Sequence, residues 1–246
     1  MGDHPELHRH ARHLALSQVG ADGQCRIGRA SALLIGAGGI GCSVASYLVA
    51  SGIGRLVICD FDTVDGTNLG RQVLYGPDDI GRLKVEVAAE QLRRINPDTE
   101  IVPIPERLDD ARLAAAVREV DVVLDGSDNF ATRFQVNDAC VAAGRCLISG
   151  AAIRLEGQVA VFGPDYAVTP CYRCLYRQAD ESLENCAGNG VLATVPGVVG
   201  TLMATEALKY LADIGGRRGV LRLFDAGSDE VHSLRVAKRA DCETCA

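Results

Sequence analysis

Tryptophan is absent from this 246-residue chain, methionine occurs twice, and aromatic residues make up only 4% of it. Basic clusters are missing too. There are 25 Lys and Arg against 32 Asp and Glu, a formal net charge of −7, and no Lys/Arg block. That balance argues against a nucleic-acid partner, although an acidic protein can still hold a local basic pocket for a nucleotide. No apolar run reaches the length of a membrane span. The longest candidates, around 44–58 and 191–204, are broken by Ser, Gly, Arg, Thr and Pro. The first residues, Met1-Gly-Asp-His-Pro-Glu6, are polar and acidic, unlike a signal peptide. There is no internal repeat and no low-complexity segment. The expectation is a cytoplasmic protein with no membrane partner. Its ten cysteines should then not form a disulfide framework. The length allows one large α/β domain or two small ones, with ample core.

What is present is organised around residues 31–72. An apolar run, Ser31-Ala-Leu-Leu-Ile35, meets a glycine turn, Gly36-Ala-Gly38-Gly39-Ile-Gly41. A helical pattern follows, then a second apolar run ending in Asp60. Strand, glycine turn, helix, strand and acidic residue form the nucleotide-binding half of a Rossmann-type sheet. The glycines let the backbone approach a phosphate, and the helix start offers free N–H groups and a positive dipole end. Asp60 stands 19 residues after Gly41, where a carboxylate can accept hydrogen bonds from ribose hydroxyls. The fingerprint alone fits NAD(P) or FAD as well as ATP. The polar loop behind Asp60, carrying Asp62, Asn68, Arg71 and Gln72, shifts the balance.

Along the rest of the chain, Pro5 to Val19 reads as a helix and Asp22 to Gly28 as a turn with a short helix. A helix from Asp79 or Ile80 to Ile95 stops at Asn96-Pro97. A strand over Glu100–Pro105 carries two prolines, which suit a sheet edge. Helix Asp109–Glu119, buried strand Val120–Asp125, helix Phe130–Ala143 and strand Arg145–Gly150 complete a β-α rhythm. The expected fold is α/β: a doubly wound, mostly parallel sheet. After it the pattern changes to alternating strands, Gly157–Phe162, Val220–Asp225 and Glu230–Val236, with a long apolar helix over Thr194–Ala212. These extend the sheet with antiparallel strands. Ligand sites in such sheets lie beyond the strands' carboxyl ends, so the glycine turn, the Asp60–Gln72 loop and the Ser127-Asp128-Asn129 turn should converge, although roughly 90 residues apart.

Four constellations carry candidate chemistry. The first is Gly36, Gly38, Gly39, Gly41, Asp60, Asn68, Arg71, Gln72 and Lys84. An enzyme that breaks the α–β phosphate bond needs cations against the charge building on pyrophosphate, whereas a dehydrogenase leaves Arg71 and Lys84 idle. The bland alternative for those two is a solvated surface pair. The second is Asp128 with Asn129. Asp128 suits Mg²⁺ bridging phosphates, and either residue could instead cap the helix at Phe130. The third is Cys171-x-x-Cys174 with Cys242-x-x-Cys245. Four thiolates in two short pairs fit a closed, structural Zn²⁺ that fastens the tail to the body, against a chance pairing in a Cys-rich chain. The fourth is Cys186, a loop cysteine that could be a nucleophile or an inert thiol.

Taken together, Gly36–Gly41, Asp60–Gln72, Lys84, Ser127–Asn129, Gly150–Gln158 and the two cysteine pairs resemble the MoeB/ThiF family of bacterial adenylyltransferases, relatives of the ubiquitin-activating enzymes. The resemblance runs from about Glu6 to the end and makes 1–246 one domain. Within it, 1–30 is an N-terminal helical segment, 31–150 the nucleotide-binding half, and 151–246 a carrier-binding, zinc-bearing half. It implies ATP rather than NAD, with Mg²⁺ and Zn²⁺. The implied reaction activates the C-terminal Gly-Gly carboxylate of a small ubiquitin-fold sulfur carrier as an acyl-adenylate. Position by position, the resemblance gives Asp60 the ribose, Asn68, Arg71 and Lys84 the phosphates, and Asp128 the Mg²⁺. Cys171, Cys174, Cys242 and Cys245 take the zinc. Arg12 matches an arginine supplied across a homodimer, and Cys186 a cysteine that the thiamine branch links to its carrier. The family's Arg-Tyr-x-Arg-Gln start reads Arg9-His-Ala-Arg12-His13 here. Leu175-Tyr176 stand where the thiamine branch places a Trp, while Gly150–Gln158 looks like the molybdopterin branch, so the pathway stays open. No rhodanese domain follows Cys245, so the sulfur donor is expected to be a separate protein. An NAD-dependent oxidoreductase and an inactive scaffold half remain the competing readings. The scaffold should have lost one of Arg12, Arg71, Lys84 or Asp128, and all four are present.

Overall fold

The structure is a computed structural model and describes residues 9–177, 190–216 and 218–246. Eight strands form one sheet in the order β3-β2-β1-β4-β5-β6-β7-β8. They are β1 Ser31–Ile35, β2 Arg55–Cys59, β3 Glu100–Ile104, β4 Val122–Asp125, β5 Cys146–Ile153, β6 Glu156–Phe162, β7 Val220–Asp225 and β8 Glu230–Arg235. The first five are parallel and the last three antiparallel.

The parallel strands are short apolar runs because both their faces are covered. Along β1, Ala32 and Leu34 enter one core while Leu33 and Ile35 enter the other. The first core is closed by α3 (Gly39–Ala50), α4 (Lys84–Ile95) and α8 (Thr194–Leu211). The second is closed by α5 (Asp110–Arg118), α6 (Phe130–Ala143) and the single turn α7 (Tyr172–Leu175). Helix α8 buries Glu206, which is tolerable because Lys209 (2.8 Å) and Arg222 (2.9 Å) pair with it. No helix of the described residues is long and apolar enough to cross a membrane.

Three element boundaries differ from expectation. In the described part of the N-terminal segment, α1 covers only Ala11–Leu14, and α2 is a full helix over Gly20–Arg29. Three glycines make α2 look like a turn, but Gly23 and Ile27 are buried one helical turn apart and tertiary packing overrides the weak propensity. The helix expected from Asp79 begins instead at Lys84. Pro77–Asp79 is a 3₁₀ turn, and Gly81 at φ +88° leaves the helical region. Finally, β5 runs past Gly150 to Ile153 and turns directly into β6. The strand with Pro103 lies at one sheet edge, as a proline in a strand requires, and Pro105 falls just outside it.

The register fixes the site. Ile35 pairs with Cys59 on one side and Asp125 on the other, so three parallel strands end at one level. The strand order reverses between β1 and β4, the position where such sheets open a ligand crevice.

Candidate active site

A cavity of about 530 Å³ opens at that reversal, within the usual range for small-molecule sites. Its floor is the glycine turn. Gly36 has φ +90°, a conformation only glycine adopts without strain. Gly41 does not line the cavity; a Cβ there would lie 2.0 Å from the Gly36 carbonyl oxygen, so its role is to let helix α3 start against the turn. The N-cap Gly38 uses no side chain, leaving the first amides of α3 open towards the cavity. Tyr75 braces the turn from behind by donating to the Ala37 carbonyl at 2.7 Å.

Asp60 stands at the end of β2. Its carboxylate accepts from the Ala37 N–H at 2.7 Å and the Asp62 N–H at 2.9 Å, which ties the glycine turn to the following loop. Burial pushes its carboxyl pKa up, partly offset by those two amides and by Lys84. The neighbouring Cys59 thiol is also pushed up by burial, to about 11, so it is not a thiolate at neutral pH.

One wall is cationic and polar: Asn68, Arg71, Gln72 and Lys84. Lys84 is 6% exposed and its Nζ donates to Asp62 at 2.8 Å. The sequence shows no adjacent acid for it; the partner lies 22 residues back and is brought in by the loop, whose Asp62 carbonyl also accepts the Lys84 backbone N–H at 3.0 Å. Arg71 donates to the Thr67 carbonyl at 2.9 Å, within the 3₁₀ turn Gly66–Asn68. Asn68 closes that turn by accepting from the Asp65 N–H at 3.1 Å. Gln72 is buried, and its Oε1 has no partner among the described residues.

The opposite wall follows β4. Here the alternatives separate: Asn129 is the N-cap of α6, accepting from the Thr132 N–H at 2.9 Å, and Asp128 is not a cap. Asp128 is exposed at the cavity, with a long 3.4 Å bond from Asn129 Nδ2. Beneath it Asp125 is 1% exposed. One oxygen accepts the Ser127 N–H at 3.0 Å, and the other has no partner among the described residues.

The third wall comes from the antiparallel half and is mostly small or neutral, with Ala151, Ala152, Gly157, Gln158, Tyr176 and Leu223 among its residues and the exposed Glu156 as its one acid. Four lining residues that the motifs did not assign to the site are Arg107, Arg133, Gln158 and Tyr176. Arg133 lies one turn after the Asn129 cap and donates to the Ser127 carbonyl at 2.8 Å, so the cap spacing was its available signal. Arg107 sits over the Phe61 ring at 5.2 Å, a pairing across the sheet edge with no local pattern.

The two cysteine pairs converge away from the cavity. The four Sγ atoms lie within 4.8 Å of one another, all buried. Cys171 and Cys242 are 3.6 Å apart, and Cys174 and Cys245 3.5 Å. A disulfide needs about 2.05 Å, whereas Zn–S bonds of about 2.3 Å place tetrahedral sulfurs roughly 3.8 Å apart. The donor set and spacing therefore fit a closed Zn²⁺ site. Arg173, between the first pair, makes a two-pronged contact with Asp138 (2.9 and 2.8 Å) and a bond to Glu243 (3.0 Å), so the tail is fastened by ions as well as thiols.

Two candidates lie elsewhere. Arg12 is exposed on α1, and the adjoining His10 packs on Gly52, where α3 ends. That is the amino end of the strands, opposite the cavity. Cys186 falls outside the described residues.

Residues 10–244 match the ThiF family. Adenylyltransferase and sulfurtransferase MOCS3 of Sus scrofa is 46% identical over 244 residues, covering 98% of this chain and 53% of that protein. The sulfur carrier protein adenylyltransferase of Thermus thermophilus is 43% identical, covering 98% of this chain and 91% of that one. The crystal structure of E. coli MccB with MccA-N7isoASN superposes with a TM-score of 0.85 at 26% identity, covering 97% of this chain and 75% of that one. The chain spans about half the length of the MOCS3 protein it matches. With the family matched from end to end and its glycine turn, Asp60 loop and cysteine pairs built into one fold, the chain belongs to the ThiF family.

Proposed function

We propose that the chain is a single adenylyltransferase domain that uses ATP to adenylylate the C-terminal Gly-Gly carboxylate of a small ubiquitin-fold sulfur-carrier protein. The observation that carries this reading is one cavity with two unlike walls: cationic and polar beside the glycine turn, mostly small and neutral across from it, with Glu156 as the one acid there. The triphosphate suits the first and a peptide tail without bulky or charged side chains the second. NAD would leave the buried Lys84, paired with Asp62, and Arg71 without a task.

A carboxylate oxygen of the tail attacks the α-phosphorus, the bond to the β-phosphate bridging oxygen breaks, and pyrophosphate leaves with that electron pair. The acyl-adenylate remains. Asp60 orients the ribose, the open amides of α3 face phosphate oxygens, and Asn68, Arg71, Gln72 and Lys84 meet the charge that grows on the leaving group. The exposed Asp128 carboxylate, with a long hydrogen bond from Asn129, fits a Mg²⁺ held by one or two carboxylates, which would neutralise phosphate charge. Cys171, Cys174, Cys242 and Cys245 would hold a Zn²⁺ that serves structure.

Because Arg12 sits at the far end of the sheet from its own cavity, it can serve a phosphate only in a second copy, which makes a homodimer the working unit. Cys186 is the candidate for a later covalent step with the carrier. The pathway is molybdopterin or thiamine synthesis in the cytoplasm. The deciding experiment is ATP–pyrophosphate exchange with purified protein. Exchange that requires a carrier ending in Gly-Gly supports the reading, and its absence with every such carrier rejects it.

A further inference from the structure

Tyr176 and Gln158 are joined across the third wall of the cavity. The Tyr176 hydroxyl donates to Gln158 Oε1 at 2.8 Å, and both side chains line the cavity. Tyr176 comes two residues after Cys174, at the end of α7, and is held by two rings: Tyr172 at 5.0 Å between centroids and Phe130 at 5.5 Å edge-on. Tyr172 is itself fixed, because its N–H donates to the buried Asn137 at 2.7 Å. Gln158 lies mid-strand in β6, with neighbours on both sides, so its backbone groups belong to the sheet and its amide is what it presents to a ligand.

A glutamine amide can face a ligand with its oxygen or its nitrogen, and a phenol can pair with either. Here the Tyr176 hydroxyl donates to Oε1, which leaves the two Nε2–H groups as the offer to the cavity. Those donors match a peptide carbonyl. The flanking residues Ala151, Ala152 and Gly157 are small and Leu223 is apolar, while the acid on this wall, Glu156, is exposed at the start of β6.

We propose that Tyr176 is a positioning residue that locks the Gln158 amide with its N–H groups towards the cavity, where they grip a backbone carbonyl of an extended, side-chain-poor peptide tail. This deepens the adenylyltransferase reading and rests on it only for the identity of the tail. The lock ties tail recognition to the segment that also carries the first cysteine pair.

The test uses the full zinc-loaded chain and two readouts. The first is fluorescence anisotropy with a labelled ten-residue peptide ending in Gly-Gly with a free carboxylate. The second is pyrophosphate exchange with a Gly-Gly carrier, resolved into KM and kcat. Tyr176→Phe removes one hydroxyl and keeps the ring. It is expected to weaken peptide binding about tenfold, the scale of one hydrogen bond, and to raise KM for the carrier alike. The kcat and the KM for ATP should hold. Gln158→Leu should do the same, and the double variant should be no worse than Gln158→Leu alone. Unchanged peptide affinity in Tyr176→Phe, additive losses, or a fall confined to kcat overturns the proposal. Exchange that ignores Tyr176 sinks the lock and leaves adenylylation standing. Peptide binding that depends on Tyr176 without any exchange keeps the lock and removes adenylylation. A wild-type chain that neither binds the peptide nor exchanges removes both.

Discussion

The parallel half and the antiparallel half contribute to the same cavity by different means. In residues 31–150 the site residues lie in the glycine turn and in the loops and helix starts beyond the strand ends, held by bonds among those segments: Asp60 to Ala37 and Asp62, Asn68 to Asp65, Lys84 to Asp62, Asn129 to Thr132. In residues 151–246 the wall is held by distant partners: Tyr172 to Asn137, Arg173 to Asp138 and Glu243, and four thiols from two ends of the segment. The first half concentrates the cations, and the second adds mostly small, neutral side chains with Glu156 as its one acid. A reaction that develops charge at phosphorus while drawing in a peptide tail with small side chains asks for that division.

The sharpest way to break the comparison is to strip the charge. Lys84→Ala and Arg71→Ala should each lower the exchange rate by at least about a hundredfold, the scale of losing one preorganised donor to a developing anion. The fold should survive, since the Lys84 partner Asp62 has a half-exposed side chain and regains water. Melting curves and exchange on the same samples check both halves of the statement. If either variant merely raised KM for the carrier, the cationic wall would not be serving the leaving group.

The next effect tests the other half. The chain should carry one zinc, measured by metal analysis, and Cys242→Ser should lose it. Removing one of four thiolates opens the site and frees the tail, so the melting temperature is expected to fall by several degrees. Carrier KM should rise because Tyr176 follows the first cysteine pair, while ATP affinity, read by calorimetry, should stay put. A variant that keeps its zinc, or loses ATP and carrier affinity together, would show that the two halves are not separable.

The same contrast explains what the sequence reveals. The five parallel strands, the sheet edge at Pro103 and helix α6 to its exact ends follow from apolar runs, proline placement and a cap residue, all local signals. The glycine turn, Asp60 loop and cysteine pairs likewise announce themselves by spacing. The start of α4 does not, because Gly81 leaves the helical region and Lys84 gains its acid from 22 residues away. Gln158 and Tyr176 carry no motif as a pair: 18 residues separate them, and only the antiparallel pairing of β6 and the fold of the cysteine segment bring them together. Short-range chemistry is written in spacing; walls made by long-range packing are written only in the fold.

The smallest effect expected concerns Asp125, a carboxyl buried in the charged half. It is buried under the Ser127 loop, and burial drives its pKa up; the Arg133 charge and the Ser127 bonds pull it back part of the way, and Asp128 adds to the rise. A carboxyl whose folded value exceeds its unfolded one contributes stability that is full below the unfolded pKa and is lost as pH rises through the folded one. The Asp125→Asn change keeps an oxygen for the Ser127 N–H and never ionises. The variant should therefore gain on the wild type as pH rises from acid to neutral, seen as a melting-temperature difference that moves in its favour. Exchange should change by no more than a few-fold, since the Ser127 N–H keeps its acceptor and the Arg133 bond to the Ser127 carbonyl is untouched. A difference that stays flat with pH would mean Asp125 keeps its charge in the fold, with Arg133 as its counterion, and that the wall beneath Asp128 is as ionic as the one beside Lys84.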